Sequence, residues 1–311
     1  MCPFGGLLFR AVCPMGVMRT ARFWPYRRRI KRRLEPRQPW LVLEPNRMHR
    51  HYWLDLWRYR ELFQVLAWRD IAVRYKQTLI GASWALIRPL LTMLVLTVIF
   101  GRLARLPSQG DAPYALLVFA AMLPWQFFAA SLSSCSDSLI ANSNLLTKVY
   151  FPRLIVPAAA VMTSFVDFLI SFLILAGLML WFHWWPSWRF LTLPLWIAIA
   201  FAASMGAGLW LASLNVQYRD FRYLVPFLVQ FGLYVSPVGF SSAIVPLKWQ
   251  WLYALNPMVG VIEGFRWAII GGRAMVIHPL GFSVSLLIVA VLALSGLRQF
   301  RRMEQRFADV I

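Results

Sequence analysis

Residues 111–137 read DAPYALLVFAAMLPWQFFAASLSSCSD, and this stretch decides the fold. Between its two terminal aspartates there is no Asp, Glu, Lys or Arg. A hydrocarbon core of roughly 30 Å needs about 20 helical residues at 1.5 Å each, so the run is long enough to cross a bilayer. Three more uncharged runs of that kind lie between Arg189 and Arg219, Arg222 and Lys248, and Arg273 and Arg298. Together the four predict spans at 114–134, 190–214, 224–245 and 277–297. Two further apolar runs carry one ionisable residue each: Ala85 to Phe100, with Arg88 near its start, and Leu154 to Phe182, with Asp167 inside. One such group in a span is costly but tolerable. The expectation is an all-α integral membrane protein with six transmembrane helices.

Composition agrees. Of 311 residues, 60% are hydrophobic and 14% charged, against about 45–50% and 25% in soluble domains, so one soluble globule cannot hide the excess. Mean hydropathy is +0.60. The net charge of +20 suits a nucleic-acid binder, but not together with this hydrophobicity; basic segments on the cytoplasmic side of a membrane protein explain both. Cys2, Cys13 and Cys135 form no CxxC pair and imply neither a disulfide framework nor a zinc cluster.

Lys and Arg near the helix ends set the orientation. With the N-terminus inside, the cytoplasmic segments hold Arg58, Arg60, Arg69, Arg74, Lys76, Lys148, Arg153, Arg219, Arg222, Arg298, Arg301, Arg302 and Arg306. The outer loops hold fewer: Arg102, Arg105, Arg189, Lys248, Arg266 and Arg273. Both termini are therefore expected to be cytoplasmic. Residues 1–55 read as a basic, disordered tail lying against anionic headgroups, with a start at Met48 as the alternative; the apolar stretch Gly5 to Phe9 is cut by Arg10 and makes no signal peptide. Residues 56–83 form a cytoplasmic interfacial segment. Tyr59, Leu62, Phe63 and Leu66 follow the spacing of one helix face, with Arg58, Arg60, Glu61 and Gln64 off it, which suits either the membrane interface or a docking helix. The six spans occupy 84–300, and 301–311 is a basic cytoplasmic tail. The loop from Asp137 to Arg153 reads as a short helix around Leu139 to Leu146 and a Tyr150-Phe151-Pro152 turn. Pro246 to Val276 reads as one or two short helices at the outer interface, broken at Asn256-Pro257.

Chemistry is sparse. His49, His51, His183 and His278 do not converge, and there is no HExxH, GxSxG or paired-carboxylate motif. No Lys is followed by Ser or Thr, so there is no phosphate-binding GxxxxGK[ST] loop, and any ATP must be bound by another chain. Neither catalytic residues nor a metal site is expected. Asp167 reads as a structural carboxyl bonded to a neighbour such as Ser164 or Ser171, or else as a proton or cation site. Ala202, Ala203, Gly206, Ala207 and Gly208 form a small-residue pattern that permits close helix packing.

Several motifs in order carry a resemblance. They are Arg69-Asp70-Ile71-Ala72-Val73-Arg74-Tyr75-Lys76-Gln77-Thr78-Leu79-Ile80-Gly81 with Trp84 and Pro89, then Asn142-Ser143-Asn144-Leu145-Leu146-Thr147-Lys148-Val149-Tyr150-Phe151-Pro152-Arg153. Tyr218-Arg219-Asp220, Ser236-Pro237-Val238, Leu255-Asn256-Pro257-Met258 and Glu263-Gly264-Phe265-Arg266 follow. Over about residues 56–300 the chain resembles ABC type-2 permeases of the branch that exports O-antigen, capsular polysaccharide or teichoic acid. The resemblance implies a homodimer of six-helix subunits in the bacterial inner membrane, each docked on an ABC ATPase subunit, two copies in all, that binds ATP and Mg. This chain itself would bind no cofactor and no nucleic acid. Its partners would be the ATPase, a lipid-linked glycan and membrane lipids. By the same resemblance Arg58, Arg60, Asn144, Lys148, Arg153, Arg219 and Asp220 would take part in ATPase coupling. Asn256, Pro257, Glu263 and Arg266 would belong to the outer gate. Aromatic faces stack on sugar rings, so Phe100, Trp125, Phe127, Phe128 and Tyr234 are candidates to line a glycan channel, with simple packing or lipid contact the alternative for each.

Rival readings keep the fold and change the cargo to a lipid or small molecule, or change the class to a membrane enzyme acting on a polyprenyl-linked sugar. The second is disfavoured because Asp111 and Glu263 are the only acids of the outer loops and lie far apart in sequence. A secondary carrier would need an ion-coupling network, and Asp167 is nearly alone.

Overall fold

The computed structural model describes residues 52–76, 81–106, 112–271, 279–304 and 307. The expectations for the tail up to residue 51, for Asp111 and for most of 301–311 lie outside them. Among the described residues there is no strand. The helices are α1 (Tyr52–Arg58), α2 (Arg60–Lys76), α3 (Gly81–Leu96), α4 (Tyr114–Ala141), α5 (Ser143–Lys148), α6 (Ile155–Trp181), α7 (Leu193–Gln217), α8 (Phe221–Val235), α9 (Leu247–Tyr253), α10 (Pro257–Ile269) and α11 (Pro279–Met303). A π-helical turn, Thr97–Leu103, extends α3.

The quoted stretch becomes α4, 28 residues long and apolar on every side. Such a helix must be surrounded, and it is: α6, α7 and α10 pack on it. Small residues then bring α7 and α11 together. A Cβ on Gly206 would stand 2.6 Å from the Ala293 backbone, and one on Gly208 would meet the Cys135 sulfur of α4 at 2.7 Å. The expected small-residue pattern is therefore where α7 is held between α4 and α11.

Among the described residues, five helical segments are long and apolar enough to cross a membrane: 83–103, 114–141, 155–181, 188–217 and 281–303. The sixth expected span, 224–245, is instead the 15-residue α8, about 22 Å long, which falls short of a roughly 30 Å core. Pro237 explains its end. The proline ring pushes the preceding residue out of helical geometry, and Ser236 sits at ψ 150°.

Three other expectations shift. The interfacial segment divides at Tyr59 into α1 and α2, and the face of Tyr59, Leu62, Phe63 and Leu66 packs against the bundle; Trp53, Leu54, Trp57, Val65, Trp68 and Val73 are exposed. The short loop helix starts at Ser143, because α4 runs on to Ala141 before Asn142 breaks it. Finally, nearly all of α10 is buried, against α4, α7 and α11, rather than lying open on the surface of the bundle.

Candidate functional site

At one end of the bundle α5 projects with Asn144, Lys148 and Val149 exposed. Near it, Arg58 and Arg60 are exposed on α1 and α2, and the Arg60 guanidinium lies 5.7 Å from the Trp57 ring centre. Arg219 and Asp220 are exposed in the turn between α7 and α8. Two polar ties hold these elements to the bundle. Arg69 of α2 donates to the Asn142 side-chain oxygen at 2.7 Å, at the root of α5. Asn215 of α7 donates to Asp137 Oδ1 and to the Ser136 carbonyl, both at 3.0 Å.

Arg153 differs from the other expected coupling residues, because its groups are engaged within the chain. Its backbone N–H donates to Glu304 Oε1 at 2.8 Å, and its guanidinium donates to the Glu304 carbonyl oxygen and faces the Phe307 ring. Tyr52 also donates to Glu304 Oε1, at 3.4 Å. Burial raises the Glu304 carboxyl above its ordinary range, against the lowering effect of these donors and of Arg153 and Arg301. Sequence reasoning did not find Glu304 or Tyr52; the available signal was a single acid among the last basic residues.

Asp167 pairs with neither Ser164 nor Ser171. Arg74 Nη2 lies 2.8 Å from its Oδ2, and the Tyr75 hydroxyl donates to Oδ1, so the carboxylate fastens the end of α2 to the middle of α6. The Ser expectation is corrected for a simple reason: a charged partner from another helix competes better for a carboxylate than a neutral hydroxyl does.

At the opposite end the expected gate residues come together. Asn256 caps α10 by accepting from Met258 N–H at 3.0 Å, donates to Ser236 Oγ at 2.9 Å, and is followed by Pro257 at the first helical position. Arg266 is fully buried. It donates to the carbonyls of Phe240 at 2.8 Å, Val238 at 3.0 Å and Leu117 at 3.4 Å, and its Nη1 is 3.6 Å from Glu263 Oε1. Tyr114 donates to the Gly239 carbonyl at 2.6 Å. Irregular buried backbone needs partners for its carbonyls, and after α8 these two side chains supply them. Beside Glu263 lies a cavity of about 70 Å³ lined by Gln250 and Tyr253.

The aromatic candidates separate. Trp125, Phe127 and Phe128 are buried in the bundle; Phe127 packs on Phe168 at 5.4 Å and Phe165 at 5.9 Å, and Trp125 on Phe128 at 5.8 Å. Phe100 is half-buried against Gly239 and Phe240. Tyr234 is exposed, and it continues a stripe on α8 with Tyr223, Phe227 and Phe231, each more than half exposed. Phe227 and Phe231 stack at 6.0 Å. Their i, i+4, i+8, i+11 spacing was the signal for the full stripe. Among the described residues no three His, Cys, Asp or Glu side chains converge as a metal site.

Residues 61–270 match the ABC-2 type transporter family. The chain belongs to that family. Membership makes it a multi-pass transport permease rather than an enzyme, and implies an ABC ATPase partner. The permease is 27% identical to the O-antigen export system permease protein RfbA of Myxococcus xanthus over 259 residues, 83% of this chain and 98% of that protein. It is 27% identical to the protein of the same name from Klebsiella pneumoniae over 253 residues, 81% of this chain and 95% of that protein. It is 24% identical to the polysialic acid transport protein KpsM of Escherichia coli over 213 residues, 67% of this chain and 81% of that protein.

Proposed function

We propose that this permease is the membrane subunit of an ATP-driven exporter that moves a lipid-linked polysaccharide, of O-antigen or capsule type, out across the bacterial inner membrane. The observation that carries the reading is similarity to two O-antigen export permeases over nearly their whole length, 98% and 95%. The cargo is expected to move between two copies of the chain. Two apolar helices support that arrangement: α3 and α8 leave most of their surface uncovered, and a second copy would cover it. A sixth crossing would then be made by α8 with the segment Ser236 to Phe240, buried up to Gly239. Non-helical backbone is tolerated at membrane depth where protein satisfies it, as Arg266 and Tyr114 do here. Both termini would be cytoplasmic.

The mechanism follows from this placement. ATP and Mg on two partner ATPase subunits close them against each other. The exposed α5, with Asn144 and Lys148, and the turn at Arg219 and Asp220 receive that movement. The ties at Arg69–Asn142 and Arg74–Asp167 carry it into α4 and α6. The aromatic stripe of α8 offers successive rings to the sugars, with few directional bonds to hold them, so the chain advances without a tight resting site. The cluster of Asn256, Pro257, Glu263 and Arg266 would hold the outer exit.

The test is a mild-detergent purification of the tagged protein from its native membrane, beside a strain lacking the gene. An ATPase subunit recovered in near-equal amount, and glycan accumulating inside the deletion strain, are the expected results. No ATPase with the wild-type protein would overturn the coupling. Normal surface glycan in the deletion strain, with a lipid or small molecule retained instead, would overturn the cargo.

A further inference from the structure

The end of α11 returns to the loop that leaves α5. Glu304 Oε1 accepts the Arg153 backbone N–H at 2.8 Å and the Tyr52 hydroxyl at 3.4 Å, while the Glu304 carbonyl accepts the Arg153 guanidinium. The Arg301 guanidinium lies 4.5 Å from the centre of the Tyr52 ring. Phe151, Leu154, Phe300 and Phe307 are buried around the joint. One residue thus touches the exit of the α5 loop, the first turn of α1 and, through its own backbone, the end of α11.

The lever is short. Val149 to Pro152 alone separate α5 from Arg153, and Phe151 and Pro152 are already buried. Only Val149 and Tyr150 are exposed between α5 and the buried joint, so the loop has little chain in which to absorb a displacement of α5 before it reaches Arg153. Burying a carboxylate is expensive, and apolar packing would stabilise such a corner as well or better. What the carboxylate adds over apolar packing is a fixed hydrogen-bonded register between three chain segments.

We propose that Glu304 is a positioning residue for energy coupling: it clasps the α5 loop to α11 and α1, so that movement imposed on α5 shifts the last span and the first helix together. The proposal rests on the reading that α5 meets the ATPase.

The experiment uses the full permease–ATPase complex in vesicles of native membrane lipid extract that carry the host's own lipid-linked glycan. Wild type, Glu304→Gln, Glu304→Ala and Tyr52→Phe are compared for ATPase recovered, glycan exported per ATP hydrolysed, and trypsin cleavage after Arg301 and Arg302. Glu304→Ala is expected to retain the ATPase and its hydrolysis, yet export per ATP falls about tenfold, as for loss of one charge-assisted hydrogen bond in the working conformation. Trypsin should cut this variant faster. Glu304→Gln keeps an acceptor for Arg153 and should stay within about twofold of wild type, and Tyr52→Phe, which loses one neutral donor, should fall about threefold. A merely structural role would lower the amount of protein and leave export per ATP unchanged; that result in Glu304→Ala, or in Tyr52→Phe should the alanine variant not accumulate, overturns the proposal. Glu304→Gln as impaired as Glu304→Ala overturns it too. Loss of ATPase from wild type overturns the parent reading and this one with it, and is told apart because the unsubstituted protein fails.

Discussion

Helices α4 and α8 are built from similar residues and used in opposite ways. Both are apolar, both contain a proline (Pro124 and Pro226), and both are rich in aromatic side chains. In α4, Trp125, Phe127 and Phe128 are buried among α6, α7 and α8; in α8, only Val225 is buried, and the aromatic stripe faces outward. The difference lies in distribution around the axis. An all-round apolar helix has no face to give to anything but protein, whereas α8 gathers its rings on one side. Within one subunit, packing is complete around α4 and left unfinished around α8. Stability should therefore depend on the first region, and transport on the second.

Substitutions at the packed side should have the largest effect. Gly206→Leu would drive a side chain into the Ala293 backbone, which cannot yield as a flexible side chain could. We expect a loss of about 3 kcal/mol or more, enough to remove folded protein from the membrane, seen as loss of the monodisperse peak in detergent chromatography. A normal peak would mean that α7 and α11 can separate.

Arg266→Met comes next. The guanidinium is fully buried and serves three carbonyls, so its loss leaves Val238, Phe240 and Leu117 with fewer donors and Glu263 without its cation. We expect about 3 kcal/mol, read as a lowered unfolding temperature. Arg266→Lys should recover little, since an ammonium cannot reproduce the planar fork. Full recovery by Lys would show that charge alone matters there.

Asp167→Asn should cost less. The Arg74–Asp167 pair is partly exposed, with side-chain exposures of 45% and 23%, so its Coulombic value is discounted. About 1 kcal/mol or less is expected in detergent, and more in a lipid nanodisc if hydrocarbon replaces water around the pair. Equal losses in the two media would place the pair in water.

These residues also mark how far a sequence can be read. The uncharged runs located α4, α7 and α11, and the run broken by Asp167 located α6, because burial in lipid or protein leaves the same record in composition. They did not show that α8 stops at Val235, although Ser236-Pro237 was visible; a proline in an apolar run is compatible with a kinked span and with a stop. The face of α2 was legible from its spacing, but what it meets was not, since helix periodicity is the same against protein as against a membrane surface. Arg74 and Asp167 are 93 positions apart in sequence, so nearest-neighbour reasoning turned to Ser164 and Ser171 instead. Lys148, at the end of α5, and Arg219 and Asp220, in the turn between α7 and α8, are exposed, whereas Arg153 is engaged by Glu304, a partner that only the fold supplies.

The smallest effect on stability, and the sharpest separation of the two regions, is expected from α8. Phe227 and Phe231 are each more than half exposed and contact each other, so Phe227→Ala with Phe231→Ala removes little buried area. Their unfolding temperature in detergent should stay near wild type, with a free-energy change within about 0.5 kcal/mol for each. Phe127→Ala, by contrast, empties a site in the aromatic cluster of Phe165, Phe168 and Phe201 and should cost about 3 kcal/mol or more. Export should respond in the reverse order once corrected for the amount of folded protein: the α8 pair loses transport per molecule, and the surviving Phe127→Ala molecules keep it. Retention of aromatic faces decides between sugar contact and plain greasiness, because Phe→Tyr at both positions preserves ring stacking whereas Phe→Leu preserves only apolar area. Export restored by Tyr and not by Leu supports stacking on sugars; export restored equally by Leu would assign the stripe to contact with lipid or with a second copy of the chain.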